Sequence, residues 1–258
     1  MTSFADINLP LEACFIAPAD MPLRVGLVVL ATDMVIEAEW AQVFNGLPIE
    51  LLVSRLACEA EVTPAALLTM ASQIGQCASL ILPDVELDAI AYGCTSASLV
   101  IGEHKVHTLL QQGGNCSITS NPFTAAKSAL EHLNAKRLAV LSPYVAQVNQ
   151  PFYSALQSAG YEVIKWGSLD LELDRQIGSM DVDHLPALIE QLFASMEQTP
   201  DAVFISCTNF RSMSLLQSLE QRYGCYFLSS NQVMAWHILH QLKTPCAIDG
   251  FGRLLASL

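Results

Sequence analysis

The 258-residue sequence predicts an α/β fold with two similar halves, each built on a parallel sheet. Short apolar runs rich in β-branched residues alternate with longer stretches of helical period, which is typical of parallel strands covered by helices. The stretch "DAIAYGCTSAS" from Asp88 to Ser98 also resembles "DAVFISCTNF" from Asp201 to Phe210. In each stretch Asp-Ala leads into apolar residues and then Cys-Thr, with the cysteine six positions after the aspartate.

Eight segments have the length, the β-branched content and the flanking turn residues of strands. In chain order they are Arg24–Ala31, Ile49–Leu56, Ala89–Gly93, Cys116–Thr119, Leu138–Ser142, Glu162–Trp166, Ala202–Ser206 and Tyr226–Leu228. Between them, the helical patterns "PAALLTMASQIGQCASLI" and "PALIEQLFASMEQ" open with proline in the first turn, a common helix-start signal. In a third pattern, "NPFTAAKSALEHLNAKR", Asn121 is predicted to cap the helix before Pro122.

No low-complexity linker marks a boundary between subdomains, so the boundary is predicted from the repeat. The segments 88–102 and 201–215 occupy matching places, each at a strand end that is followed by a predicted helix. We therefore expect a first subdomain near residues 1–118 and a second near residues 119–225.

Charge and hydropathy argue against several classes of partner. The formal net charge of -13 disfavours nucleic acid and anionic membrane surfaces. The longest apolar run, Leu23–Ala31, is far shorter than the ~20 residues of a membrane helix, and "MTSFADINLP" lacks the basic start of a signal peptide. We expect a soluble, cytoplasmic protein that binds neither nucleic acid nor membrane.

The eight cysteines do not indicate a disulfide scaffold or a structural metal site. No two have C-x-x-C spacing, and none of the six histidines pairs with cysteines at zinc-finger spacing. They are most simply reduced thiols. Cys94 and Cys207 stand apart because only they recur in matching contexts.

A cysteine at the end of a parallel strand is well placed for chemistry, because ligands of α/β sheets bind beyond the carboxyl ends of the strands. Backbone N–H groups and a helix dipole are expected to lower the pKa of Cys94 and of Cys207, favouring the reactive thiolate. The same N–H groups, with the hydroxyls of Thr95, Ser96 and Thr208, can hold a carboxylate or an enolate. The alternative is that such a cysteine simply packs, but two in matching places favour a functional pair. Two facing thiols could remove a proton from one side of a carbon and deliver one to the other.

The sequence resembles the aspartate/glutamate racemase superfamily, particularly the branch with maleate cis-trans isomerase, arylmalonate decarboxylase and the ectoine-utilisation protein A group. The matching blocks are "GLVVLATDMVIEAEW", "AYGCTSASLVIG", "SPYVAQVN", "GYEVI", "SCTNFRSM", "FLSSNQVMAW" and "GFGRLL". The resemblance implies two α/β subdomains related by a pseudo-twofold axis, with the active site between them. It also implies that the strand and helix in "YFLSSNQVMAWHIL" return to the first subdomain, which would comprise residues 1–118 and 226–258.

The same resemblance implies roles for individual residues. Cys94 and Cys207 match the two catalytic cysteines, and no metal or organic cofactor is required. The substrate is implied to be a small carboxylic or amino acid. Its carboxylates would be bound by residues matching Thr95, Ser96, Tyr144, Thr208 and Asn209. Superfamily members are often homo-oligomers, and the sequence leaves the oligomeric state open.

Two departures within the branch bear on the reaction. Arylmalonate decarboxylase has glycine where this chain has Cys94, which disfavours one-sided decarboxylation. Maleate isomerase has an asparagine where this chain has Asp33, and an ionised Asp33 would repel a carboxylate and attract an ammonium group. Racemases of the superfamily place an aspartate here, near the substrate amino group. Alternatively, or in addition, Asp33 caps the following helix.

We therefore expect a cofactor-independent racemase or epimerase that acts next to the carboxylate of an amino acid or amino-acid-derived acid. The first alternative is a maleate-type cis-trans isomerase in which Cys94 adds to the double bond. The second alternative is a non-catalytic binding protein that retains the pocket without turnover.

Overall fold

A computed structural model describes residues 7–9, 11–17, 20–244 and 246–258. Within these residues eight strands form two four-stranded sheets, which confirms the predicted fold class. The strands are β1 (Leu23–Leu30), β2 (Ile49–Leu56), β3 (Ala89–Gly93), β4 (Thr119–Ser120), β5 (Arg137–Tyr144), β6 (Glu162–Leu171), β7 (Ala202–Ile205) and β8 (Tyr226–Ser229). All eight predicted strands are present, although β4 is shorter and β6 extends five residues beyond the predicted end at Trp166.

The two sheets have the same topology. Their strand orders are β2-β1-β3-β4 and β6-β5-β7-β8, and every neighbouring pair is parallel. Adding four to each strand number converts the first order into the second. The repeat in the sequence therefore reflects two structural halves, with β3 and β7 in equivalent places.

Helices connect the strands, as expected for parallel pairing. They are α1 (Ile36–Val43), α2 (Pro64–Thr69), α3 (Ala71–Ser79), α4 (Thr95–Ile101), α5 (Glu103–Gly114), α6 (Pro122–His132), α7 (Ala146–Ser158), α8 (Asp174–Gly178), α9 (Leu185–Ala194), α10 (Leu216–Tyr223), α11 (Ser230–Gln241) and α12 (Arg253–Ala256). The predicted cap of α6 is confirmed, since the Asn121 side chain accepts hydrogen bonds from the N–H groups of Phe123 and Thr124.

Two strands correct the predicted subdomain limits. Thr119 of β4 pairs with Ile90 of β3, so the first sheet extends beyond residue 118. Tyr226 of β8 pairs with Ala202 of β7, so the prediction that this strand completes the first subdomain is wrong. The strand pairs instead with the one that precedes it in sequence, across the connection containing α10, as consecutive elements of α/β folds usually do. Helix α11, in contrast, packs against α1, α6, β3 and β4.

The aspartates of the repeat join neighbouring strands at the end of each sheet away from the cysteines. The N–H of Arg24, near the start of β1, donates to Asp88 Oδ2 at 2.7 Å. The N–H of Arg137, at the start of β5, donates to Asp201 Oδ2 at 2.8 Å. The main chain of each aspartate also donates to the carbonyl of the same arginine. Each repeat thus begins with a strand-joining carboxylate and ends with a thiol.

The central strands are buried on both faces, as is usual for parallel sheets. Alternate residues of β1 face opposite ways. Val25, Leu27 and Val29 belong to a core that includes the strands of the second sheet, whereas Val28 and Leu30 face a separate core of the first half. This shared core positions the carboxyl ends of β3 and β7 near each other.

The Asp201→Ala variant is expected to unfold with a free energy about 1 kcal/mol lower near neutral pH, because it removes the acceptor for the N–H groups of Lys136 and Arg137 and for the Arg137 guanidinium. Burial would raise the pKa of Asp201, but these hydrogen bonds outweigh it and lower the pKa from 3.8. A lowered pKa stabilises the fold fully above the unfolded value and loses this effect as the pH falls through the folded value. Urea unfolding across this pH range tests the prediction, with Asp201→Asn expected to be intermediate. Equal stability of the wild type and the alanine variant near neutral pH would contradict it.

Candidate active site

Both cysteines of the repeat line one pocket between the two halves. Cys94 follows β3 and Cys207 follows β7, and together with Ser96, Tyr144 and Thr208 they line a small cavity of about 20 Å³. Both thiols are almost completely buried. The structure therefore brings together the pair that the sequence repeat singles out.

Cys94 immediately precedes α4, as predicted, but its pKa is not lowered. Its backbone is extended (φ -154°, ψ 114°), and its Sγ lies 3.7 Å from the Ser96 hydroxyl. Burial raises the pKa of Cys94 to about 12, although the Ala97 N–H and the Ser96 hydroxyl oppose the shift. The predicted low pKa is wrong, because the free energy needed to remove the thiolate from water exceeds the stabilisation that these two donors provide.

Cys207 lies in a turn and not at the start of a helix, which corrects a second expectation. Helix α10 begins only at Leu216, after a 3₁₀ segment at Met213–Leu215. The φ of Cys207 is +101°, a conformation that costs a residue with a side chain on the order of 1–3 kcal/mol and that is often found at functional sites. Burial, followed by the negative charge of Asp174, raises the pKa of Cys207 well above its usual value. The Tyr144 hydroxyl and the Asn209 N–H oppose this shift.

The threonines of the two Cys-Thr pairs fasten the halves together. The Thr208 hydroxyl donates to the carbonyl of Gly93, the residue before Cys94, at 3.2 Å. The Thr95 hydroxyl donates to the Ser230 hydroxyl at 2.9 Å, and that oxygen accepts from the Cys207 N–H at 3.1 Å. Each threonine therefore connects its own half to the turn that carries the other cysteine.

The six residues predicted to bind substrate fall into two groups. Ser96, Tyr144 and Thr208 line the pocket. The others, Thr95, Asn209 and Asp33, are buried beside it and bond to protein groups. Their side chains hold the pocket walls in place.

Asn209 joins the loops that follow β1 and β7. Its Oδ1 accepts from the Met34 N–H at 2.9 Å. Its Nδ2 donates to the carbonyl and to Oδ2 of Asp174, both at 3.0 Å. The motif identified Asn209 as a site residue, but its amide is already occupied by these contacts.

Asp33 caps the start of α1, which confirms the alternative interpretation of this residue. Its Oδ1 accepts from the N–H groups of Val35 and Ile36 at 2.8 and 3.0 Å. The side chain is only 4% exposed, and Oδ2 has no hydrogen-bond partner in the part of the chain that the structure describes. Burial raises the pKa of Asp33, and the nearby charge of Asp174 raises it further.

Asp174 is a pocket residue that the sequence reasoning missed. It begins α8, is 5% exposed and lines the cavity. Its Oδ2 accepts from the Thr32 hydroxyl and from Asn209. Burial raises the pKa of Asp174. The signal that could have found it is its place just beyond the carboxyl end of β6, but the predicted strand ended too early to reveal this.

The pocket is acidic and is closed by two loops. Asp174, Glu59 and Glu61 contribute carboxyl groups to its lining, and the described residues around it include no lysine or arginine. The N–H of Asp174 donates to the carbonyl of Ala60 at 3.2 Å, and that of Val62 to the carbonyl of Glu172 at 2.9 Å. These contacts place the loop after β2 over the site.

Across the described ranges, no group of three or more His, Cys, Asp or Glu residues is arranged to hold a metal ion. None of the helices in those ranges is both long enough and apolar enough to cross a membrane.

Comparison with known proteins gives a consistent result. A model of the arylmalonate decarboxylase family matches residues 25–255. Maleate isomerase from Nocardia farcinica is 27% identical, covering 90% of this chain and 95% of that protein. Maleate isomerase from Geobacillus stearothermophilus is 24% identical, covering 90% and 97%.

Solved structures agree in fold. A Nocardia farcinica maleate cis-trans isomerase variant with a covalently bound succinylcysteine intermediate has a TM-score of 0.84 at 25% identity, covering 92% of this chain and 99% of that one. A liganded variant of arylmalonate decarboxylase has a TM-score of 0.81 at 20% identity, covering 92% and 100%. The second similarity shows the fold alone.

The raised pKa values predict slow alkylation of both pocket thiols near neutral pH, because the thiolate is the reactive form. Iodoacetamide is expected to modify the exposed Cys14 first, and the rate at Cys94 is expected to keep rising as the pH approaches about 12. Mass spectrometry of the labelled peptides measures this, with the urea-unfolded chain as the control for access. A rate at Cys94 that levels off near neutral pH would contradict it.

Proposed function

The chain belongs to the arylmalonate decarboxylase family, and we propose that it is a cofactor-independent isomerase of a small carboxylic acid. The observation that carries this proposal is that Cys94 and Cys207, from equivalent strand ends, line the same pocket. Two buried thiols beside one substrate can act as nucleophile and proton donor without any other reactive group.

The leading candidate reaction is cis-trans isomerisation of an unsaturated acid. The Cys94 thiolate adds to one carbon of the double bond, and the electron pair moves to the carbon next to the carboxylate. Rotation about the new single bond follows, and elimination restores the double bond and the thiolate. The maleate isomerases among the relatives support this reaction. Succinylcysteine, present in one structural neighbour, is what addition of a thiol to maleate produces.

We assign the addition to Cys94 and the proton transfer to Cys207. Cys94 immediately precedes α4, and the Ala97 N–H and the Ser96 hydroxyl beside its sulfur oppose the rise of its pKa. The charge of Asp174 adds to burial in raising the pKa of Cys207, which favours the protonated thiol. This asymmetry suits Cys94 for addition and Cys207 for proton transfer to the neighbouring carbon.

The substrate carboxylate would be held near the start of α4. The N–H groups of Thr95 and Ser96 have no acceptor within the residues that the structure describes, and the Ser96 hydroxyl lines the pocket. Such donors stabilise the negative charge that develops next to the carboxylate. Tyr144 and Thr208 would complete the polar wall.

Racemisation is the second candidate, favoured by the carboxyl group of Asp174 in the pocket lining. This group suits an amino acid, whose ammonium group it could accept. One thiolate would remove the proton next to the carboxylate, and the opposite thiol would return a proton to the other face. The two cysteines would exchange roles for the other enantiomer.

We expect Cys94→Ser to abolish turnover and Cys207→Ser to reduce it by roughly 10²–10⁴-fold, the range for losing a general acid or base. After incubation with maleate, intact-mass and peptide analysis of the Cys207→Ser protein should show an adduct on Cys94. Cys116→Ser is the matched control, because this buried cysteine lies outside the pocket. An adduct on Cys207 in the wild type, or full turnover in both pocket variants, would contradict the assignment.

Product analysis separates the candidate reactions. Formation of the trans isomer from a cis acid supports the first, and entry of solvent deuterium at the α-carbon of an amino acid supports the second. If neither occurs with any small unsaturated or amino acid, the chain is a binding protein and the proposed function is wrong.

A further inference from the structure

We propose that Glu39 and Asn231 are positioning residues that hold Cys207 in place for proton transfer. They act on residues 206–212, the segment that carries this cysteine, which we call the Cys207 turn. The inference rests on the proposed function, because proton transfer by Cys207 is part of the reaction assigned there.

The Cys207 turn needs support from neighbouring elements. It lies between β7 and the 3₁₀ segment at Met213–Leu215 and belongs to no helix or strand. Its cysteine has a φ of +101°, and a conformation of this kind persists only where the surrounding structure determines it. Inside the turn, the Phe210 N–H reaches the Cys207 carbonyl at 3.3 Å. The contacts that fix the sulfur therefore have to come from outside the turn.

Glu39 holds the far end of the turn. This residue lies on α1 and is 6% exposed. Its Oε1 accepts from the N–H groups of Ser212 and Met213 at 2.9 and 3.0 Å. These donors lie where the turn passes into the 3₁₀ segment. The carboxylate therefore ties the end of the Cys207 turn to a helix of the other half.

Asn231 holds the start of the turn and joins it to Glu39. Its Nδ2 donates to the Thr208 carbonyl at 2.8 Å and to Glu39 Oε2 at 2.7 Å. The opposite orientation of the amide would direct Oδ1 at the same two acceptors, so they fix which way the group points. The carbonyl of Asn231 accepts from the Trp40 indole at 3.0 Å, which anchors the residue to α1. Both ends of the turn are thus held by one connected pair of side chains.

The polarity of this pair exceeds what packing requires. Within the described residues no cationic side chain forms an ion pair with Glu39. Burial raises the pKa of its carboxyl group, although the hydrogen bonds from Asn231 and the turn oppose the shift. An apolar side chain could fill the space between α1 and the turn without this desolvation, but it could accept neither N–H group. The pair is therefore suited to fixing the main chain of the turn.

Cys94 has a separate support. Its carbonyl accepts from the Ser98 N–H at 3.1 Å and from the Ser98 hydroxyl at 2.6 Å, both at the start of α4. The hydrogen bonds of the Glu39 and Asn231 side chains go elsewhere. Loss of the pair is therefore expected to displace Cys207 and to leave Cys94 in place.

Breaking the pair should separate the two halves of the proposed reaction. In the adduct the Cys94 sulfur is bonded to one carbon, and its release requires that Cys207 removes a proton from the next carbon as the carbon–sulfur bond breaks. Glu39→Gln keeps an acceptor for the turn but presents an amide N–H to Asn231. We expect it to lower kcat with maleate by about 10²-fold, the effect of a small misplacement of a reacting group. The Cys94 adduct should still form and should accumulate during turnover, as intact-mass analysis can measure.

Asn231→Ala should give the same accumulation and covers the case in which Glu39→Gln does not fold. Glu220→Gln is the matched control, because Glu220 is 5% exposed and accepts from the N–H groups of Phe227 and Arg253 but lies outside the pocket. It should leave kcat and the amount of adduct unchanged. A fall in kcat without adduct in the pair variants, or the same accumulation in the control, overturns the positioning role while the isomerase assignment stands.

Alkylation without substrate separates this inference from the proposed function. A released turn exposes the Cys207 sulfur to water, so iodoacetamide should modify it about tenfold faster in Glu39→Gln than in the wild type, because relief from burial raises the thiolate fraction. The rate at Cys94 should not change. This selective effect in a protein that isomerises no small acid supports the positioning role and refutes the isomerase. An unchanged rate at Cys207, or equal increases at both cysteines, overturns the positioning role.

Discussion

The exchange of threonine hydroxyl bonds between the two halves is the contact on which the site depends. Thr208 reaches the carbonyl before Cys94, and Thr95 reaches the N–H of Cys207 through Ser230. Sheets that merely packed together could slide by a residue without losing much buried area. These crossed bonds fix the separation and the direction of the two strand ends. The Cys-Thr pair is repeated because each half supplies one reactive sulfur and one bond that holds the other half in register.

Holding reactive groups in this way lowers the stability of the fold around the pocket. Two thiols and two carboxyl groups are removed from water, which raises the pKa of all four. Cys207 also has a positive φ, and Oδ2 of Asp33 lacks a partner within the described residues. Departures of this kind are typical of functional sites, where local stability is given up for prearranged chemistry. A ligand with complementary charge would recover part of that loss.

Much of the fold could be predicted from the sequence, because buried parallel strands are short apolar runs and all eight are distinct. The repeat also predicted that Cys94 and Cys207 lie in one pocket. The sheet to which β8 belongs was predicted wrongly, because strand pairing depends on the path of the chain and not on local sequence pattern. The predicted lowering of the pKa of each thiol was wrong, because the depth of burial is set by tertiary structure. The sequence motifs identified Thr95 and Asn209 as site residues but could not show the direction of their side chains. Asp174 was missed because the predicted end of β6 came too early.

In the proposed mechanism one substrate molecule lies between Cys94 and Cys207, which line the same pocket. A crystal structure of the Cys207→Ser protein soaked with maleate tests this placement most directly. We predict a covalent bond from Cys94 Sγ to a carbon of the former double bond, with a substrate carboxylate at the start of α4. An unmodified Cys94, or an adduct on any other residue, would contradict the mechanism.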